Sequence, residues 1–121
     1  MTEQIVYART HAEFLNNAFG TDYSGWMRSR WEYDEDTWVW MVRFDSKARQ
    51  GWINVIISEE EIWEKYIGKE PPTYRNDDKR FRIVVSVEEG MLGREYRVLG
   101  TYMLDQEKST AGCHVLIKVE E

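Results

Sequence analysis

The chain is poor in the residues that staple, break or anchor a fold. It has one cysteine among 121 residues, so no internal disulfide can form. It has two prolines and no serine- or glycine-rich tract, which argues against a linker or a tail. No apolar run approaches the ~20 residues that span a bilayer. The N-terminus lacks a basic segment followed by an apolar one, so the expectation is a cytoplasmic protein. Basic residues are also scarce relative to acidic ones. Sixteen Lys and Arg face 22 Asp and Glu, for a net charge of −6. That balance disfavours a general nucleic-acid binder held by phosphate contacts. It leaves room for a local basic groove, or for a decoy that imitates nucleic-acid charge.

What remains is a folded composition: 42% hydrophobic and 31% charged. The length predicts a single domain over residues 1–121 with a core of its own. Aromatics make up 14% of the chain, including six tryptophans.

Pattern and turn chemistry predict an α+β fold in the order β-α-β-β-β-α-β-β-β. Residues 4–8 read as a strand. Thr10 with Glu13 forms a capping box for a helix that Gly20 stops. Residues 25–33 alternate in character and read as a strand, with Trp26, Arg28, Arg30 and Glu32 on one face. The acidic turn Asp34-Glu35-Asp36 leads to a strand over 37–44, with Trp38, Trp40, Val42 and Phe44 on one side. A polar loop over 45–50 precedes a strand over 52–57. Consecutive strands with short loops predict an antiparallel meander. Ser58 with Glu61 reads as a second capping box. Ile62, Trp63, Tyr66 and Ile67 then form a helical stripe ended by Gly68. A polar loop over 69–80 and strands over 81–87, 95–104 and 113–119 complete the chain. Six to seven strands with two short helices predict a strongly bent or barrel-like antiparallel sheet.

Catalytic signals are thin. Cys113 and His114 are neighbours on a strand and point to opposite faces, so they read as a core thiol beside an edge histidine. Asp45-Ser46-Lys47 matches half of a nuclease signature without an upstream carboxylate. Asp34 to Asp36 lack the spacing of a calcium loop. No metal or cofactor is expected, and a non-enzymatic role is.

The tryptophans carry more. Trp31, Trp63 and most of Trp38 and Trp40 are assigned to the core. Trp26 shares a predicted face with Arg28 and Arg30, which a dry core would not accept. A ring beside guanidinium groups suits a planar ligand. Trp52 and Asn54 share a face by period-2 spacing, and an amide offers both donor and acceptor to a base edge. Trp26, Arg28, Trp52 and Asn54 are therefore expected to line one pocket, with Arg28 or Arg43 meeting a phosphate or carbonyl.

Several segments have a familiar order: Gly25-Trp26-Met27-Arg28, Val39-Trp40-Met41, Gly51-Trp52-Ile53-Asn54, and the run from Tyr96 to Tyr102. The most specific part runs from Gly100-Thr101-Tyr102-Met103-Leu104-Asp105 through Ser109 to Val115-Leu116-Ile117-Lys118. This pattern resembles small β-barrel domains of the PUA-like and SRA-like kind, found beside HNH nucleases in bacterial restriction systems. The resemblance implies recognition of a modified base or nucleotide, often a flipped base in an aromatic cage. It adds Trp40 to Trp26, Trp52 and Asn54 as cage members. The sequence departs from that setting in two ways: it holds no HNH motif, and its charge is negative.

The expected function is thus a binding module for a nucleobase-like ligand in a defence setting. The alternative is a small acidic counter-defence protein that inhibits a nucleic-acid-handling enzyme by direct contact or DNA mimicry, or sequesters a nucleotide signal. Its contact surface would be Asp34, Glu35 and Asp36 with Glu59, Glu60 and Glu61. An exposed edge strand would also allow a homodimer.

Overall fold

A computed structural model describes residues 4–44, 50–70 and 72–119. Its elements are β1 (Gln4–Ala8), α1 (His11–Phe19), β2 (Arg30–Glu32), β3 (Thr37–Val42), β4 (Trp52–Ser58), β5 (Glu61–Tyr66), β6 (Phe81–Gly90), β7 (Gly93–Leu104) and β8 (Cys113–Lys118). The strands form one sheet in the order β2-β3-β6-β7-β8-β5-β4, and β1 pairs with β7 off that path. All pairings are antiparallel except β3 with β6. Parallel neighbours need a long crossover. Here the crossover carries the β4–β5 hairpin, which docks at the far end of the sheet.

The helix forms as its caps predict. The Thr10 side chain accepts the Glu13 amide at 3.1 Å, and Gly20 closes the helix at φ 73°. Both observations satisfy backbone groups that a helix end leaves orphaned.

β7 is long because it serves two sets of neighbours. Its first half pairs with β1, and its last residues, Tyr102 to Leu104, pair with β8. Gly100 stands between them at φ 138°, opposite a register shift at Val84/Val85 of β6. A bulge of this kind bends a sheet and increases its twist. The bend separates two cores. Val39, Met41, Val85, Val87 and Tyr96 pack on the α1 side against Phe14 and Leu15. Trp38, Trp40, Val42, Val84, Tyr102 and Leu116 pack on the other face with Ile62. The alternation predicted for Trp38, Trp40 and Val42 is seen, and Phe44 packs against that same cluster.

Five expectations are corrected, and the sheet has eight strands instead of six to seven. Residues 61–66 form β5, paired on both sides by β4 and β8, and not a second helix. The Ser58 hydroxyl accepts the Glu60 amide at 3.2 Å, so it shapes a hairpin turn instead of a helix cap. The strand expected over 25–33 is only Arg30–Glu32, and residues 25–29 are loop. There is no three-strand meander: β3 lies between β2 and β6, while β4 forms the opposite edge. With β2 and β4 as its two edges, the sheet is bent but does not close into a barrel. The polar loop expected over 45–50 lies outside the described residues except for Gln50. No helix among the described residues is long and apolar enough to cross a membrane.

Candidate functional site

Strand pairing places three polar side chains in one cross-strand row. Asn54 of β4 is opposite Glu64 of β5, and Glu64 is opposite His114 of β8. Directly paired residues share a face of the sheet. Trp52 joins that face two residues before Asn54, opposite Tyr66.

The row opens into a cavity of about 590 Å³. Trp40, Arg43, Trp52, Asn54, Glu64 and His114 line it, so residues from both ends of the strand order meet there. That convergence follows from the bend. The volume lies within the usual range for small-ligand pockets. His11, at the start of α1, reaches the same cavity, so both histidines of the chain border it.

The wall is well organised. The His114 ring stacks on Trp52 at 4.8 Å between centroids and 29° between planes, and Tyr66 meets Trp52 edge-on at 5.2 Å. His114 Nδ1 lies 2.7 Å from Glu64 Oε1. Burial alone would raise the Glu64 pKa. The His114 hydrogen bond and the Arg82 guanidinium outweigh it and hold the carboxyl below its usual range. Glu64 is therefore an ionised acceptor inside a half-buried site. Arg82 is 4% exposed, and its guanidinium lies 4.2 Å from the Trp38 ring centroid and 4.8 Å from that of Trp40. Desolvation pushes its pKa down to about 10, still well above neutrality. Glu64 and Arg82 also border a second cavity, of about 470 Å³, with Arg30 and Asp78.

One buried atom of the row has no partner among the described residues: the Asn54 side-chain oxygen. Buried polar groups are nearly always satisfied, and an exception marks a place where something is missing. One end of this amide is therefore free to meet a ligand group.

On the helix side, His11 Nδ1 lies 2.7 Å from the Tyr96 hydroxyl. Burial, then Arg94 and Arg43, lowers the His11 pKa, so that ring is neutral at pH 7. Arg43 Nη2 donates to Glu89 Oε1 at 2.7 Å, and Arg94 Nε lies 3.4 Å from the same oxygen. Among the described residues no group of three or more His, Cys, Asp and Glu could hold a metal ion.

Four of the six residues expected to bind ligand thus share the cavity: Trp40, Arg43, Trp52 and Asn54. Trp26 and Arg28 do not line it. Trp26 packs against the helix-side core, meets Tyr23 at a tilt with 5.0 Å between centroids, and donates its indole N–H to the Arg30 carbonyl. Arg28 is exposed in the loop before β2, although its neighbours Met27 and Ser29 reach the cavity. The face assigned to both assumed a strand that does not extend that far. Of the tryptophans assigned to the core, Trp31, Trp38 and Trp40 are buried. Trp63 is half-buried and donates its N–H to Glu61 at 2.6 Å.

Sequence reading did not select Glu64 and His114. The capping and stripe signals assign Glu64 to a helix, and His114 reads as an edge residue. Reading residues 61–66 with period 2 would have put Glu64 on the face of Ile62 and Tyr66. The acidic residues proposed as a partner surface divide between two turns. Asp34, Glu35 and Asp36 are exposed in the β2–β3 turn, where Asp34 accepts the Asp36 amide. Glu59 and Glu60 are exposed in the β4–β5 turn, while Glu61 is half-buried. These two hairpins lie at opposite ends of the strand order.

Comparison with known proteins bears on this geometry. A search of curated proteins returns no match. Among solved structures, the fold is similar to that of the 5-hydroxymethylcytosine-specific restriction enzyme AbaSI, with a TM-score of 0.69 and 24% identity. The match covers 96% of this chain and 38% of the AbaSI chain, so the resemblance is to part of that enzyme. The SET and RING associated family matches residues 1–121, and the chain belongs to this SRA domain family.

Proposed function

We propose that this domain reads a modified cytosine presented in DNA, holding the base in the cavity between β3 and the β4–β5 hairpin. SRA domains are readers of modified bases, and AbaSI is specific for 5-hydroxymethylcytosine. The observation that carries the reading is the Asn54–Glu64–His114 row. It offers an ionised carboxylate and an amide with a free end in one partly buried wall. Cytosine presents an amino donor at N4 where thymine presents an acceptor, and carboxylates accept from that group. An acceptor-rich wall therefore favours cytosine over thymine.

A base reaches such a cavity only by leaving its stack, at a cost of a few kcal/mol. Stacking on aromatic side chains returns about 1–3 kcal/mol per base in other systems. Trp52 and Trp40 supply the rings, and Trp52 is fixed in place by His114 and Tyr66. The role is binding, with Trp40, Arg43, Trp52 and Asn54 as contacts joined by Glu64 and His114. A restriction setting, with nuclease chemistry supplied by a separate domain, is part of this proposal.

Calorimetric titration tests it, using otherwise identical duplexes with cytosine, 5-methylcytosine, 5-hydroxymethylcytosine or thymine at one position. A modified cytosine should bind at least tenfold more tightly than thymine, and Glu64→Gln should shrink that margin. Equal affinity for all four duplexes would overturn the proposal.

A further inference from the structure

The hydrogen bonds around Tyr96 run in one direction. Its ring is fully buried and stacks on Phe14 at 4.6 Å between centroids, so its hydroxyl is a fixed point. Arg94 bonds to that hydroxyl, and a guanidinium can only donate. The Tyr96 oxygen therefore accepts from Arg94, and its single proton is left for His11 Nδ1 at 2.7 Å. Burial and the two nearby arginines keep His11 neutral, so the ring's own proton sits on Nε2. Nε2 makes no hydrogen bond to a described residue. His11 is half-buried and borders the cavity, so the ring edge not taken up by Tyr96 is the edge that meets a ligand.

Arg43 borders the same cavity. In the free chain it already holds an anion, the Glu89 carboxylate at 2.7 Å. That side chain is 65% exposed, and exposed ion pairs hold weakly, so a better anion displaces it. A neutral N–H and a guanidinium are both donors, and a phosphate presents acceptors to them. We infer that His11 and Arg43 form a phosphate subsite on the helix side of the cavity. The Nε2–H of His11 and the guanidinium of Arg43 donate to the phosphate of the nucleotide whose base the cavity holds. The inference rests on the base-reading proposal and adds the other end of the same ligand. Two sources carry this chemistry: a nucleotide turned out of DNA, and a free mononucleotide.

NMR titration of the full chain with deoxycytidine 5′-monophosphate and with deoxycytidine separates phosphate from base. The monophosphate should bind about 10- to 100-fold more tightly, the size of one hydrogen bond to a charged group. His11→Phe keeps a ring beside Tyr96 and removes the donor. It should lower that ratio about tenfold and leave deoxycytidine binding unchanged. His11→Gln keeps an N–H donor and should restore part of the ratio. A wild-type ratio of one, or an unchanged ratio in His11→Phe, would overturn the inference. If His11→Phe does not fold, nitrogen NMR of the labelled wild-type chain decides. A bare Nδ1 and a protonated Nε2 that shifts with the monophosphate, and not with the nucleoside, are expected. A protonated Nδ1, or equal shifts with both, would overturn it. A duplex with one neutral methylphosphonate beside the modified cytosine then names the source. Weaker binding than to the natural duplex assigns the subsite to DNA, and equal binding assigns it to the free nucleotide. The two proposals fail differently. Equal binding of deoxycytidine and its monophosphate removes only the phosphate subsite. Thymidine monophosphate bound as tightly as deoxycytidine monophosphate removes the base reading and leaves the subsite.

Discussion

A single amide shows how site and stability pull apart at the level of residues. Asn54 stands on an edge strand with one buried polar atom unpaired, which costs about 1–3 kcal/mol relative to a satisfied group. Val fits a strand better and asks for no partner. Asn54→Val should therefore raise stability by about 1 kcal/mol, or Tm by about 4 °C, while base affinity falls at least tenfold. Thermal unfolding and the duplex titration measure the two effects on one sample. A variant that is less stable would show that the amide is satisfied in the free protein. Trp52 and Asn54 were legible in the sequence because two residues of spacing put them on one face of a true strand. Trp26 and Arg28 were misplaced by the same rule, applied across Gly25 to Ser29 where no strand exists.

At the level of elements, the largest error is also the most informative. In β5, Ile62 is buried in the core, and Glu64 occupies the next position on the same face. A carboxylate at an inward strand position breaks the apolar alternation. What survives is the set Ile62, Trp63, Tyr66 and Ile67, whose spacing imitates a helix. Local rules fail where a polar group is placed inside, and here that group stands in the middle of the Asn54–Glu64–His114 row. The caps of α1 were legible because cap chemistry is local. The hairpin also depends on Gly51, which precedes Trp52 at φ 88°. A Cβ there would lie 2.5 Å from the Tyr66 ring, the ring that meets Trp52 edge-on. Gly51→Ala should cost about 1–3 kcal/mol from backbone strain, with displacement of Tyr66 added to it. It should also shift tryptophan emission and weaken base binding. Unchanged emission and affinity would mean that Tyr66 does not position Trp52.

For the molecule as a whole, two properties lay beyond the sequence pattern. The parallel β3–β6 contact joins segments some forty residues apart, and the bend at Gly100 depends on pairing across β6, β7 and β1. Both are tertiary facts with no local periodicity. Net charge was legible, and it sets a problem for a reader of DNA: at −6 the chain repels a polyanion on average. The distribution offers an answer. Asp34 to Asp36, Glu59 and Glu60 are exposed in turns, while Arg43 borders the cavity and Arg94 stands beside it. Both arginines are tied to one oxygen of the exposed Glu89, whose carboxyl is held below its usual range first by the Arg43 hydrogen bond. Glu89→Gln removes that charge and releases Arg43, while Arg94 keeps its hydrogen bond to Tyr96. Phosphate contacts position a protein on DNA without reading its sequence. Affinity should therefore rise for modified and unmodified duplexes alike, with their ratio unchanged. The slope of log affinity against log salt should steepen by about 0.9, the value of one new phosphate contact. Titration between low and moderate salt measures it. An unchanged slope would show that Arg43 does not reach the backbone, and that the base cavity must hold its ligand with little electrostatic help.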